Sequence, residues 1–184
     1  MVVLWSKVKQ AAYLELGYTE GTNNWTKFAK VLDSVKYFNT PKQNIEWCCT
    51  YIAYLMYIVS DKSFALYVQY QPSKDNCGCG VSYNAGYYKN NKAWFTTPKE
   101  GDVFFTKGYN HAGLVYKVNS DGTFITNEGN HNNKVDSITR KVSDMEGFGR
   151  PRYSPEPAPE PEKTVDITIN VKAPEGVKVN VKVV

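Results

Sequence analysis

The chain lacks any apolar run approaching the roughly 18 uninterrupted residues of a membrane span, so insertion into a bilayer is not expected. The segment Met1 to Trp5 is too short for a secretory signal, and synthesis in the cytoplasm is the expectation. Histidine is scarce, with two among 184 residues, which confines imidazole chemistry to His111 and His131. Cysteine is limited to two close pairs, Cys48-Cys49 and Cys77-Gly78-Cys79, whereas a disulfide scaffold scatters its cysteines to tie distant loops. Reduced thiols are therefore expected. A C-x-C pair without a second pair at the usual spacing is a poor zinc motif, so no metal and no cofactor are expected. Charge of one sign is only slightly in excess, 22 Lys+Arg against 18 Asp+Glu, with no basic run. Nucleic acid is not an expected partner, and a polyanionic surface is compatible with the balance.

What the chain does have is 42% hydrophobic and 14% aromatic residues, enough to bury one substantial core. The alternating Pro and Glu of residues 155–162 can neither pair in a sheet nor continue a helix, so this stretch reads as an extended linker. It separates a main domain, residues 1–154, from a tail, residues 163–184. Within the tail Val165, Ile167, Ile169 and Val171 alternate, Ala173-Pro-Glu-Gly176 supplies a turn, and Val177, Val179, Val181 and Val183 alternate again. That pattern predicts one β-hairpin. A lone hairpin is marginal in water, so its apolar face is expected to dock on the main domain, pair with a second copy, or belong to a larger domain.

Along the main domain helical signals come first and strand signals follow, predicting an α+β arrangement with N-terminal helices packed on an antiparallel sheet. Ser6 is placed to cap a first helix that Gly17 ends. Phe28, Val31, Leu32 and Val35 recur at helical spacing and predict a second. A third runs from Cys48 through Ile52, Leu55, Met56 and Val59, with Cys48 on the buried stripe of its first turn and Cys49 about 100° around the axis. After Pro98 the segments 102–106, 111–118 and 123–127 read as strands. Asp121-Gly122 is a hairpin signal, because both residues tolerate positive φ. With Val118 and Thr123 flanking the turn, counting outward sets His111 opposite a residue near Asn130.

That hairpin makes an imidazole and a polar acceptor neighbours, His111 with Glu128 or Asn130. A free thiol is a poor nucleophile near neutral pH, and a helix N-terminus together with an imidazolium draws it toward the thiolate. Cys48 is so placed. His111 takes the thiol proton and returns it to a leaving amine, while Glu128 or Asn130 fixes its tautomer and orientation. Backbone N–H groups around Cys48, aided by Gln43 or Asn44, are candidates for an oxyanion hole. His131 follows in a polar run, His131-Asn-Asn-Lys134, and reads as a loop histidine. Cys48 on an apolar helix also has a bland reading, since free cysteine is among the most buried residue types.

Several short segments, in order, resemble the CHAP domain, the cysteine, histidine-dependent amidohydrolases and peptidases of phage endolysins and bacterial wall hydrolases. They are Glu15-Leu-Gly-Tyr18 with Glu20-Gly21, Glu46-Trp-Cys48, Pro98-Lys-Glu-Gly-Asp102-Val-Phe-Phe105, His111-Ala-Gly-Leu-Val115, Glu128-Gly-Asn130 and Gly147-Phe-Gly-Arg-Pro151. The resemblance covers about residues 1 to 153. It implies a papain-like fold in which Cys48 attacks an amide carbonyl, His111 acts as base, and Glu128 or Asn130 orients it. The implied substrate is peptidoglycan, cut at the N-acetylmuramoyl-L-alanine amide or at a peptide bond. The implied setting is an endolysin of a phage or prophage of a Gram-positive host, released to the wall through holin pores. The alternative is a catalytically silent wall-binding or structural module of the same fold. Two features depart from the family: Cys49, where many relatives carry a small residue, and a tail too short for a separate wall-binding domain.

Overall fold

The computed structural model describes residues 2–72 and 78–158 and, beyond them, only positions 172, 175, 176 and 178. The hairpin expected over 163–184 and the thiol of Cys77 lie outside the described residues. Among the described residues five helices precede seven strands: α1 (Trp5–Leu14), α2 (Lys27–Ser34), α3 (Cys48–Ile58), α4 (Lys62–Val68) and α5 (Val81–Asn90), then β1 (Trp94–Phe95), β2 (Val103–Thr106), β3 (Ala112–Val118), β4 (Thr123–His131), β5 (Lys134–Asp136), β6 (Thr139–Lys141) and β7 (Met145–Gly149). The expected α+β class, helices packed on an antiparallel sheet, is what forms. Among the described residues no helix is long and apolar enough to cross a membrane.

Two of the five helix starts among the described residues follow side-chain capping chemistry, and α1, α3 and α5 begin without a side-chain cap. Thr26 and Asp61 cap α2 and α4 by accepting from the N–H of Ala29 and of Phe64, each at 3.0 Å. At α1 the helix begins at Trp5, so Ser6 lies inside the first turn and cannot be its N-cap. Its N–H and Oγ–H instead donate to the carboxylate of Glu156, at 2.8 and 2.7 Å. A carboxylate there satisfies an orphan donor and faces the positive end of the helix dipole. The Pro/Glu segment thus begins against the main domain. Gly17, at φ +83°, ends the turn after α1. Helix α2 stops at Ser34, one residue short of Val35, which therefore lies outside the buried stripe of Phe28 and Leu32 and is 36% exposed.

Helix α3 is the axis of the domain. The expected single stripe is exceeded: Cys48 through Ala53, Leu55 and Met56 are all buried, because α1, α2, α4 and the sheet surround the helix. The sheet runs β1-β7-β2-β3-β4-β5, with β6 also paired to β4. It carries an apolar cluster on each face. Val103, Phe105, Ala112 and Leu114 join the helices, while Phe104, Val115, Phe124, Met145 and Phe148 form a second cluster. Alternation along the strands accounts for this division.

The β3–β4 hairpin differs from the simplest count at one end and agrees with it at the other. Val118 pairs with Phe124 rather than Thr123, and an irregularity between Val115 and Lys117 restores the register, so that Leu114 faces Asn127. Two of the sequence segments that carry the family resemblance meet at one ion pair. Arg150 donates to both oxygens of the buried Asp102 carboxylate at 2.9 Å, and the N–H of Lys99 adds a third bond at 2.8 Å. That pair joins the turn before β2 to the residue after β7.

Candidate active site

Cys48 is the first residue of α3, and the N-cap residue Trp47 offers no capping side chain, nor is there an acidic residue in the first turn. The first intrahelical bond runs from the N–H of Tyr51 to the carbonyl of Trp47, so the N–H groups of Cys48, Cys49 and Thr50 precede it. This leaves the positive end of the helix dipole uncompensated beside the thiol. Trp47 is buried and anchored by its indole N–H, which donates to Glu20 at 2.6 Å.

His111 immediately precedes β3 and is fixed through its backbone: its N–H donates to Thr106 Oγ1 at 3.0 Å, and its carbonyl accepts from the Thr106 N–H at 3.0 Å. Its Nε2 lies 2.7 Å from Glu128 Oε2. The ring and the Cys48 thiol also act on one another, the imidazole lowering the thiol and the thiol raising the imidazole; with Nε2 taken by Glu128, Nδ1 is the nitrogen left for sulfur. Imidazole and carboxylate are thus directly joined, and the thiol is the group electrostatically coupled to the ring.

Glu128 is fully buried and every contact on its carboxylate is used. Oε1 accepts from Thr126 Oγ1 at 2.6 Å and from Arg140 Nε at 2.6 Å; Oε2 accepts from Arg140 at 2.7 Å and faces His111. Burial alone raises a carboxyl, but the bonds from Arg140, His111 and Thr126 outweigh it and hold Glu128 at about 2.

Two glycines make this convergence possible. A Cβ at Gly113 would lie 2.7 Å from the Phe104 ring and 3.0 Å from Glu128 Cγ, so only glycine lets β3 pass between them. A Cβ at Gly129 would lie 2.5 Å from Tyr51 Cβ and 2.8 Å from the Trp47 ring, so glycine lets β4 press against α3. Beside it Asn127 ties β4 to both helices, accepting from the Tyr51 hydroxyl at 2.8 Å and donating to the Ala12 carbonyl at 2.9 Å.

The two adjacent thiols are driven apart. A hydrogen bond from Cys49 and the contacts with His111 and the Ala112 N–H lower Cys48 well below an ordinary thiol, against the opposing effect of burial. Donating to Cys48 and complete burial raise Cys49 well above it. For His111, burial favours the neutral ring, but Cys48 and Glu128 outweigh it and raise the imidazole to about 9. Both directions favour a thiolate–imidazolium pair, with the Glu128 carboxylate against Nε2. Such a pair can attack a carbonyl carbon and then protonate a leaving amine.

Of the two acceptors left open by the sequence, Glu128 is the one in hydrogen-bonding contact with His111. Asn130 is half-buried at a register irregularity between Glu128 and His131, with φ +59°. His131 is not a loop residue: it closes β4 and bonds Asp136 through Nδ1 at 3.1 Å, with its ring centre 6.5 Å from that of His111. Its strand pairing with Lys134 was hidden by the polar composition of the intervening turn. Gln43 is spent elsewhere, its amide closing on the Thr26 backbone with bonds of 3.0 and 2.7 Å. Asn44 is exposed at φ +61°. Among the described residues no group of three or more His, Cys, Asp or Glu side chains is placed to hold a metal ion.

A family model described as the CHAP domain matches residues 39–130, half of the chain. The chain belongs to the CHAP domain family. CHAP domains are generally cysteine, histidine-dependent amidohydrolases and peptidases of the bacterial cell wall. The match contains Cys48, His111, Glu128 and Asn130. Neither a curated protein nor a solved structure matches the chain significantly. Arg140 lies beyond the matched span of this CHAP domain, and sequence reading passed over it. Its only signal is its partner, since pairing of β6 with β4 sets Arg140 opposite Phe124, on the strand that carries Glu128.

Proposed function

We propose that this CHAP domain is a peptidoglycan hydrolase that cleaves an amide bond of the wall through Cys48. The observations that carry the reading are the 2.7 Å contact of His111 with the buried Glu128 carboxylate and, beside His111, the lowered Cys48 thiol at an uncapped helix N-terminus. The thiolate of Cys48 attacks the amide carbonyl, and a carbon–sulfur bond forms as the carbonyl electrons move onto oxygen. First-turn N–H groups of α3 receive that oxyanion. The His111 imidazolium then passes its proton to the departing nitrogen, the carbon–nitrogen bond breaks, and a thioester remains. Water, deprotonated by His111, attacks the thioester and releases a carboxylate and the free thiol. Glu128 keeps Nε2–H in place, so that Nδ1 faces sulfur throughout.

The scissile bond is either the N-acetylmuramoyl-L-alanine amide or a peptide bond of the stem or cross-bridge. The family's wall chemistry and the mild positive excess of residues 1–154 support an endolysin acting on a Gram-positive wall, made in the host cytoplasm and released through holin pores. Clearing of a wall suspension tests the reading. Wild type should lower the turbidity and Cys48→Ala should not; equal rates would sink the proposal. Mass spectrometry of the fragments identifies the bond by whether the new amine lies on alanine or on a bridge residue.

A further inference from the structure

Glu128 contributes a buried negative charge, and that charge needs an explanation. A lone carboxylate without water is costly, and beside an imidazole it would either take a proton or lock the ring as a cation. Arg140 occupies both carboxylate oxygens in a fork, with Nε on Oε1 at 2.6 Å and the terminal nitrogen on Oε2 at 2.7 Å. Its guanidinium carbon stands 5.4 Å from the centre of the Phe104 ring, and that same ring lies 6.1 Å from His111. Phe104 thus supports the arginine and the histidine together. Thr126 completes Oε1 at 2.6 Å, so neither oxygen is free to rotate toward another partner.

We infer that Arg140 is a positioning residue for the reaction: its fork fixes the Glu128 carboxylate toward His111 and cancels the carboxylate's charge, so that the imidazolium can still release its proton. The inference rests on the hydrolase reading above. An arginine suits this task because it stays charged and matches a carboxylate with two parallel bonds, whereas a lysine offers a point charge without the fork. The groups that face this unit come from five elements. They are Cys48 on α3, His111 before β3, Thr126 and Glu128 on β4, Arg140 on β6, and, one ring further out, His131 on β4 held by Asp136 on β5. Arg140 is the permanent cation in direct contact with Glu128.

Two substitutions and two readouts test the assignment. With Arg140→Gln, the full carboxylate charge falls on His111, so the alkaline limb of wall hydrolysis should move up by about one pH unit. The rate at neutral pH should fall roughly tenfold, in kcat rather than KM. Arg140→Lys should hold the limb where wild type has it while still lowering kcat severalfold, since charge is restored and the fork is not. NMR titration of the His111 ring in a Cys48→Ala background reads the same shift without any turnover. A titration that is unchanged or lower on adding Arg140→Gln overturns the inference, as does an Arg140→Lys enzyme with wild-type kcat. If Arg140→Gln does not fold, Arg140→Lys alone decides by its kcat. If wild type clears no walls, the hydrolase reading fails, and the NMR shift still decides whether Arg140 balances the pair.

Discussion

Cys48 and Cys49 are neighbours on the first turn of α3, both buried, yet the S–H of Cys49 donates to Cys48 and lowers it while its own acidity is suppressed. The second cysteine is therefore a donor to the first rather than a rival for its role. Cys48→Ala should abolish wall hydrolysis, a loss of roughly a thousandfold or more. Cys49→Ala should retain activity at roughly a tenth of wild type, since one hydrogen bond to a charged sulfur is worth about 1.5 kcal/mol. The pH dependence of alkylation by iodoacetamide checks the cause. In Cys49→Ala the reactive thiol should titrate at higher pH than in wild type, and an unchanged curve would remove Cys49 from the account.

Under the proposed mechanism the alkaline side of the activity profile should belong to His111, which is raised to about 9, against the opposing effect of burial, by its contacts with Cys48 and Glu128. Above that pH the imidazolium loses its proton and the leaving amine loses its acid, so wall clearing should decline through pH 9. Replacing Glu128 with Gln removes a negative charge beside the ring, which lowers His111 and moves the decline to lower pH. The shift is opposite in sign to the one expected for Arg140→Gln. Turbidity assays across the alkaline range separate the two variants, and a Glu128→Gln limb that stays at 9 would contradict the contact between Glu128 and His111 as the cause.

Much of this site was legible from residue order alone. A cysteine opening an apolar run predicted the start of α3, and an Asp-Gly turn predicted the hairpin that unites His111 with Glu128, because helix starts and tight turns are written in local chemistry. The bond between Trp47 and Glu20, 27 positions apart, or the partnership of Arg150 with Asp102, is not local and left no periodic trace. Strands β1, β5 and β6 have two, three and three residues, too short for alternation to register, so Arg140 on β6 could not be placed. Ser6 misled for the opposite reason. Its residue type is that of a cap, but Glu156, 150 positions away, took over the capping and freed the helix to begin earlier.

Glu128 also ties stability to pH. Its carboxyl is held at about 2 in the folded chain against an ordinary 4.5, despite burial, by Arg140, His111 and Thr126. A group lowered on folding stabilises the fold fully above its unfolded value and loses that contribution as the pH falls through the folded one. The window is therefore about 4.5 down to about 2, and the amount is on the order of 3 kcal/mol. Denaturant melts at pH 6 and pH 3 should show a larger loss for wild type than for Glu128→Gln, whose amide does not titrate. Equal losses would place the acid sensitivity in other carboxylates.

Gly129 offers a way to move the halves of the site apart without touching a reacting atom. A methyl group there would meet Tyr51 Cβ at 2.5 Å and the Trp47 ring at 2.8 Å, so Gly129→Ala must push β4 away from the N-terminal turn of α3. Tyr51 is pinned by Asn127 and the Ala12 carbonyl, and Trp47 by Glu20, so neither ring can yield freely. Overpacking of this kind costs about 1–3 kcal/mol. The displacement also carries Glu128 and the His111 it holds away from Cys48, whose thiolate is then less supported. Activity should therefore fall by more than the loss of folded protein explains, and the Cys48 thiol should titrate closer to an ordinary cysteine. Thermal melts combined with iodoacetamide titration distinguish this from simple unfolding: a destabilised variant with a wild-type thiol titration would show that the contact of β4 with α3 supports the fold alone.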